Sequence, residues 1–228
     1  MANHLVKVFI NMNNKYLILD FGGVIAYPPS GYWDITPKFE ELIDINKIDK
    51  VKYKEVREKY KNILSEKVTT LDEEYNMFTR FYDGVLKEVI PNYSYDMAKE
   101  IAYDRTYNLN KYKLFDNVKD ELDYLSNKYT LILLTDNWPC VIDYLKYNNL
   151  YDYFKKIYVS SFYGVEKKDK VFFDFPIKEF NIESAIFIDD NDANLDIAKE
   201  KGLYVYHMDR NNKYITSKYK IINNLFEL

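Results

Sequence analysis

Five short apolar runs divide the chain. Four of them end in turn, carboxylate or hydroxyl residues, and the fifth follows a glycine that ends a helical stretch. The runs lie at residues 16–19, 129–134, 156–159, 185–188 and 203–206. Continuous apolar segments of this length, bounded in this way, are typical of strands that are buried on both faces. The pattern therefore predicts a sheet of at least five strands whose two faces are both covered.

The segments between these runs have helical periodicity. Val118, Leu122 and Leu125 recur at helical spacing before the second run. Pro139 lies where a first-turn proline belongs, and Gly202 follows a helical stretch where a C-terminal glycine belongs. Alternating strands and helices predict an α/β fold with a three-layer parallel sheet. Ligands of such sheets bind beyond the carboxyl ends of the strands.

About a hundred residues separate the first two runs, and this stretch has helical signals only. Thr36 precedes Pro37 as an N-cap would, and Thr70 with Glu73 has the pattern of a capping box. We expect residues 30–112 to form an α-helical cap over the strand ends, and residues 12–29 and 113–228 to form the α/β core. Residues 1–11 are interpreted as an N-terminal tail or edge segment, and the polar patch 211–220 as a loop or helix lead-in.

Composition narrows the class of partner without indicating a reaction. A net charge of -4 gives no electrostatic basis for binding nucleic acid, which requires clustered basic residues. No apolar stretch approaches the roughly 20 residues needed to cross a bilayer. The single cysteine, Cys140, excludes an intrachain disulfide and suits a reducing compartment. We therefore expect a globular cytoplasmic protein, with neither nucleic acid nor membrane as a partner; the oligomeric state stays open.

Four polar clusters follow the predicted strands in order. Asp20 ends the first and precedes two glycines, Thr135 ends the second, Lys167 follows the third, and the pair Asp189 and Asp190 ends the fourth. A carboxylate can act as a nucleophile, and a hydroxyl and an ammonium group can hold phosphate oxygens. Adjacent carboxylates repel each other unless a cation lies between them, and oxygen ligands favour Mg²⁺. Any one of these residues alone is more often a turn, cap or surface residue.

Together these motifs resemble those of the haloacid dehalogenase (HAD) superfamily, in the subgroup with a helical cap inserted after the first strand. The first motif, D-x-D-G-[TV] after a strand, reads DFGGV from Asp20. The second, a strand followed by Thr or Ser, ends at Thr135. The third, G-x-x-K-P-D-x-x-x-F, reads GVEKKDKVFF around Lys167, with Lys in place of Pro. The fourth, D-D-x-x-x-N, reads DDNDAN from Asp189. The resemblance implies a Rossmann-like α/β core.

The resemblance also implies a magnesium-dependent phosphatase for a small phosphorylated metabolite, with sugar phosphates among the candidates. Asp20 would form an aspartyl-phosphate, while Thr135 and Lys167 would hold the phosphate oxygens. The family pattern assigns Mg²⁺ to the Asp20 carboxylate, the Gly22 carbonyl and the Asp189–Asp190 pair. We expect three further residues to contact the substrate: Gly23, Asp136 and Asn137.

One position departs from the family pattern. Most phosphatases of the family have a general acid where this chain has Gly22, and loss of such an acid costs about 10²–10⁴-fold in rate. Either the leaving group needs no protonation, or Asp136 or a cap tyrosine replaces the acid, or the protein is no longer a phosphatase. If the acid alone is missing and a carboxylate fits, Gly22→Asp should accelerate hydrolysis.

The same residues are compatible with two rival functions and with two roles for the tryptophans. A haloacid dehalogenase would use Asp20 to attack carbon without a metal, and the acidic pair argues against this. A non-catalytic binding or regulatory protein on the same fold is the second rival. Trp33 and Trp138 lie in the loops after the first and second strands, where they would either stack on a substrate ring or pack in the core.

Overall fold

The computed structural model describes residues 16–213 and 216–228 and contains a six-stranded parallel sheet. Strands β2 and β3 form a separate two-stranded ribbon. The bounds of all eight strands are β1 Tyr16–Leu19, β2 Ala26–Tyr27, β3 Lys113–Leu114, β4 Thr130–Thr135, β5 Phe154–Val159, β6 Ala185–Asp189, β7 Tyr204–Met208 and β8 Lys220–Ile222. The order in the six-stranded sheet is β5-β4-β1-β6-β7-β8. Strand β1, which Asp20 follows directly, therefore lies between the strands that end in Thr135 and Asp189.

Helices cover the sheet and fill the insertion. Their bounds are α1 Pro37–Leu42, α2 Lys50–Tyr60, α3 Leu71–Val89, α4 Tyr95–Tyr107, α5 Val118–Ser126, α6 Cys140–Tyr147, α7 Ser160–Tyr163, α8 Val171–Glu179 and α9 Asp192–Glu200. Successive residues of a strand point to opposite faces of a sheet. In β1, Leu17 and Leu19 accordingly belong to one apolar cluster, with α5 and α6, while Ile18 belongs to another, with α8 and α9. This arrangement confirms the predicted three-layer α/β class.

The four helices α1–α4 have an apolar core of their own. Their buried face is rich in aromatic and branched residues such as Phe39, Phe81 and Ile101. Both predicted helix starts are present: the Thr36 hydroxyl accepts a hydrogen bond from the Phe39 N–H at 3.3 Å, and Thr70 forms a reciprocal capping box. The proposed boundaries of the cap, residues 30 and 112, stay a prediction.

Hydrogen bonds between distant parts of the chain join the helical insertion to the core, and three of them show where the two meet. The Cys140 N–H donates to the Glu74 carboxylate at 2.7 Å. The Trp138 indole N–H donates to the Leu64 carbonyl at 3.2 Å. The Val68 N–H donates to the Ser161 carbonyl at 3.2 Å. On the core side these bonds are made by Trp138 and Cys140, which follow β4, and by Ser161, which follows β5. The insertion is therefore held over the carboxyl ends of the strands.

Some elements differ from the sequence-based expectation. The antiparallel ribbon of β2 and β3 joins the two ends of the insertion, and its strands are too short for a periodic signal. The patch 211–220 leads into strand β8 and not into a helix, because Lys220–Ile222 pairs with β7. Residues 1–11, interpreted as a tail or edge segment, lie outside the described residues. Among the described residues, no helix has the length and apolar character that crossing a membrane requires.

Candidate active site

The neighbouring strands β1, β4 and β6 bring the predicted catalytic residues to one edge of the sheet. Leu19 is in register with Leu133 of β4 and with Ile188 of β6. The next residue, Asp20, donates its backbone N–H to the Ile188 carbonyl at 3.0 Å. Asp20 and Asp189 thus leave adjacent strands at the same level, with Thr135 at the end of β4 on the other side.

Three carboxylates and one ammonium group meet at this edge. Asp20, Asp189 and Asp190 each offer a ligand oxygen, and these oxygens lie within 4.8 Å of one another. The Lys167 ammonium group lies 2.9 Å from Asp20 Oδ1 and 2.6 Å from Asp189 Oδ2. With all groups ionised, two negative charges are left uncompensated. A site with only oxygen donors and this charge fits a divalent cation such as Mg²⁺.

The electrostatics of the metal-free protein agree with an excess of negative charge. Burial raises the pKa of Asp20 to about 8; Lys167 opposes this rise, and Asp189 and Asp190 add to it. Desolvation, together with Asp189, raises the pKa of Asp190 to about 6. Burial lowers the pKa of Lys167, but the surrounding carboxylates outweigh it and leave the net shift upward. A bound divalent cation would favour the ionised form of each carboxylate.

Asp189 is held in a single orientation by three donors. Its Oδ2 accepts from Lys167, its Oδ1 accepts from the Asn191 N–H at 2.8 Å, and the Asn194 side-chain amide lies 3.1–3.2 Å from both oxygens. Asn194 was matched as the last residue of the fourth motif but was not predicted to be a site residue. Its position five residues after Asp189, on the first turn of α9, is the signal that indicates this role.

The loop after β4 contributes backbone and side-chain groups to the same edge. Thr135 and Asn137 are buried, and Asp136 is exposed. The Asp136 carboxylate accepts the Lys167 backbone N–H at 2.9 Å, so it positions the loop that carries the lysine. The Asn137 N–H donates to the Ser160 hydroxyl at 3.1 Å, which fixes the turn after Thr135.

A cavity of about 270 Å³ opens between this edge and the helical insertion. Seven of the predicted site residues line it: Asp20, Gly22, Thr135, Asp136, Asn137, Lys167 and Asp190. Two predicted residues do not line it. Asp189 is fully buried against Lys167. Gly23 packs against Asp190: at a φ of +69°, a Cβ on Gly23 would lie 2.0 Å from Asp190 Oδ2. Gly23 therefore leaves room for the acidic pair, and its predicted contact with substrate stays a prediction.

The insertion adds two residues to the lining. Trp33 precedes α1, and its ring covers Gly22: a Cβ on Gly22 would lie only 2.8 Å from Trp33 Cζ2. Arg105, from α4, is the second, and it was not predicted as a site residue. Arg105 lies seven residues after Ala98 and three after Ala102, on the buried face of α4. An arginine on an apolar helix face is the sequence signal that could have identified it. Trp138, from the core, also lines the cavity.

No sequence model of a protein family and no curated protein matches the chain, whereas solved structures do. A 2-haloacid dehalogenase from Pseudomonas syringae pv. tomato has a TM-score of 0.63 and 14% identity over 93% of this chain and 95% of that one. The HAD-hydrolase YfnB from Bacillus subtilis, bound to magnesium, has a TM-score of 0.66 and 18% identity over 94% and 96%.

A HAD family enzyme from Bacteroides thetaiotaomicron, in complex with magnesium and inorganic phosphate, has a TM-score of 0.60 and 19% identity over 89% of this chain and 98% of that one. At these identities the likeness shows the fold alone. It covers the sheet and the helical insertion together, and it agrees with the resemblance indicated by the four motifs. The chain therefore has the fold of the haloacid dehalogenase superfamily of hydrolases, with helices inserted after the first strand of the core.

Proposed function

We propose that this chain is a magnesium-dependent hydrolase, and specifically a phosphatase that acts on a small phosphorylated metabolite through an aspartyl-phosphate. The observation that carries this proposal is the acidic triad beside Asp20, with two negative charges that Lys167 does not compensate. A hydrolase that attacks carbon has no use for such a cation site next to its nucleophile. The magnesium and phosphate in the Bacteroides thetaiotaomicron structure of the same fold support this choice.

Asp20 is the nucleophile in this mechanism. Its carboxylate oxygen attacks phosphorus, the bond from phosphorus to the leaving-group oxygen breaks, and an aspartyl-phosphate forms. Water then attacks the same phosphorus, which releases inorganic phosphate and restores the carboxylate. The Lys167 ammonium group and the Thr135 hydroxyl, both at the cavity, donate to the non-bridging oxygens as charge builds on them.

Mg²⁺ would be held by the carboxylates of Asp20, Asp189 and Asp190 and by the Gly22 carbonyl. When bound, it supplies charge neutralisation for the phosphoryl oxygens and for the triad. Asp189 contributes a fixed oxygen because Asn191 and Asn194 already hold its orientation.

The cavity favours a small substrate with an activated leaving group. Its volume of about 270 Å³ suits a small metabolite. Gly22 provides no general acid, and the Trp33 ring fills the space beside it. An anomeric or acyl phosphate leaves with little help from a proton, so such compounds, sugar 1-phosphates among them, are the substrates to test first.

Phosphate release from aryl, sugar, acyl and nucleotide phosphates, with and without Mg²⁺, tests the proposal. We expect turnover that requires both Mg²⁺ and Asp20. Asp20→Asn should lose at least about 10³-fold in kcat, since it removes the nucleophile. The matched control is Asp152→Asn. Asp152 is exposed and does not line the cavity, so this variant should retain full activity.

The two rival functions make different predictions for the same experiment. A dehalogenase would release halide from 2-haloacids, and a chelator would not affect it. A non-catalytic protein would release neither phosphate nor halide, and Asp20→Asn would change nothing measurable in turnover. Phosphate release that persists in Asp20→Asn would reject the nucleophile assignment itself.

A further inference from the structure

Charged side chains other than those of the acidic triad are buried beneath the insertion. Arg105 and Lys111 are each 2% exposed, and Glu74 is fully buried. Two cationic residues therefore share this region with one carboxylate. Burying an uncompensated charge is costly, so such an imbalance requires an explanation.

The Arg105 guanidinium group has few partners of its own. Its Nη1 lies 3.6 Å from the Cys140 sulfur, and its Nε has no hydrogen-bond partner among the described residues. Aromatic rings surround it, with their centroids 4.6 Å away for Phe78 and 5.2 Å away for Trp138. Rings attract a guanidinium group but accept none of its five N–H bonds. The group is thus held in place while its hydrogen-bonding capacity is largely unused.

Glu74 does not neutralise both cations. One of its oxygens accepts the Cys140 N–H at the start of α6, and the other, Oε1, has no hydrogen-bond partner in the described part of the chain. Burial raises the pKa of Glu74, and the attraction of Arg105 opposes this rise. Burial also lowers the pKa of Lys111, whose ammonium group donates to the Asn108 carbonyl at 3.2 Å. Arginine stays charged under all these conditions.

Arg105 alone of these three charged residues lines the cavity that contains Asp20 and Lys167. We propose that Arg105 is a specificity residue that binds a second anionic group of the substrate, a carboxylate or a further phosphate, while the reacting phosphate lies at Asp20. This inference rests on the proposed function. The substrate would accordingly be a phosphorylated carboxylate or a bisphosphate, and its second anion would complete the hydrogen bonds of the guanidinium group.

The test measures binding of unreactive phosphonates to the full chain in Mg²⁺ by calorimetry. Methylphosphonate represents the reacting group alone. Phosphonocarboxylates and bisphosphonates of increasing chain length add a second anion, and their comparison shows which anion is preferred. Because a hydrogen-bonded charge pair is strong, we expect the best-fitting length to bind at least about tenfold more tightly than methylphosphonate.

Three variants separate binding from folding. Arg105→Met, which keeps an unbranched apolar stem without the charge, should lose the advantage of the second anion while binding methylphosphonate within about threefold of the parent protein. Arg105→Lys should keep part of the advantage, since it retains the charge without the fork geometry. Lys111→Met, a buried cation outside the cavity lining, should keep all of it. Melting temperatures identify any variant that fails to fold, and Arg105→Lys carries the test if Arg105→Met does not fold.

The inference is overturned if no chain length binds better than methylphosphonate, or if the Arg105 variants weaken every ligand by the same factor. Parallel assays of phosphate release keep this result separate from the proposed function. An advantage that depends on Arg105, without turnover of any phosphate, would support the anion site and reject the phosphatase. Turnover of aryl phosphate with no such advantage would do the reverse.

Discussion

A carboxylate placed at position 22 should not restore general-acid catalysis unless Trp33 is also removed. A Cβ on Gly22 would lie 2.8 Å from Trp33 Cζ2 and 3.3 Å from Cη2. Carbon atoms in contact are normally about 3.5–4.0 Å apart. The indole is braced by Tyr112, with ring centroids 5.0 Å apart, and by Phe21, at 6.4 Å. Since Trp33 is still 37% exposed, it can be truncated without opening the apolar core.

By itself Gly22→Asp should destabilise the fold, whereas after removal of Trp33 it should raise the rate. Forcing a side chain into an occupied space costs about 1–3 kcal/mol, so Gly22→Asp alone should lower the free energy of unfolding by that amount. For a chain of this length, each kcal/mol corresponds to roughly 2–4 °C in Tm. In the Trp33→Ala background the carboxylate has room, and a positioned acid contributes up to about 10²–10⁴-fold. We expect at least a tenfold gain in kcat on alkyl phosphates, whose leaving groups are poor.

The assay compares kcat on an alkyl and an aryl phosphate for the parent protein, Gly22→Asp, Trp33→Ala and the double variant. The matched control is Gly22→Asn with Trp33→Ala, which has the same shape without an acidic proton. The gain should be confined to the double variant with Asp and to the alkyl phosphate, because aryl oxides leave without protonation.

Two results would refute this reasoning. A Gly22→Asp variant that is as stable as the parent protein and faster on alkyl phosphates would show that Trp33 does not restrict position 22. Equal rates for the Asp and Asn double variants would show that a carboxylate at position 22 cannot reach the leaving group, or that another group such as Asp136 already acts as the acid.

Two further predictions concern the metal site. Because burial and nearby carboxylates raise the pKa of Asp20 to about 8 without a metal, the folded protein keeps a proton that the unfolded chain loses near its ordinary value of 3.8. The Tm of the metal-free protein should therefore fall as the pH rises from about 5 to about 8, and Mg²⁺ should remove this fall; a Tm that rises over this range in chelator would contradict it. Asn194→Ala should weaken Mg²⁺ binding, measured by calorimetry, about 10- to 100-fold, because it releases Asp189. The value of kcat at saturating Mg²⁺ should change less. An unchanged affinity would mean that Lys167 and Asn191 suffice to hold Asp189.

The sequence by itself determined the sheet and the residues at its edge. Apolar runs predicted five strands of the parallel sheet, since burial on both faces leaves a local signal in the chain. Parallel strands place their carboxyl ends together, so Asp20, Thr135, Lys167 and the pair that begins with Asp189 could be assigned to one site before any distance was known. The helix starts at Thr36 and Thr70 were also predictable, because a cap is a contact within one turn.

Only the tertiary structure decided how the insertion meets this edge. The ribbon of β2 and β3 and the strand β8 depend on partners far along the chain, and segments of two or three residues leave no periodic signal. Arg105 enters the cavity because α3 and α4 pack against each other and are then held to the core through Glu74 and Trp138. Trp33 covers Gly22 because its ring packs against Phe21 and Tyr112. An arginine in a helix is usually solvated, and its burial here follows from the face that packing selects. Contacts between residues dozens of positions apart arise from the shape of the packed layers, which hydrophobic periodicity does not encode.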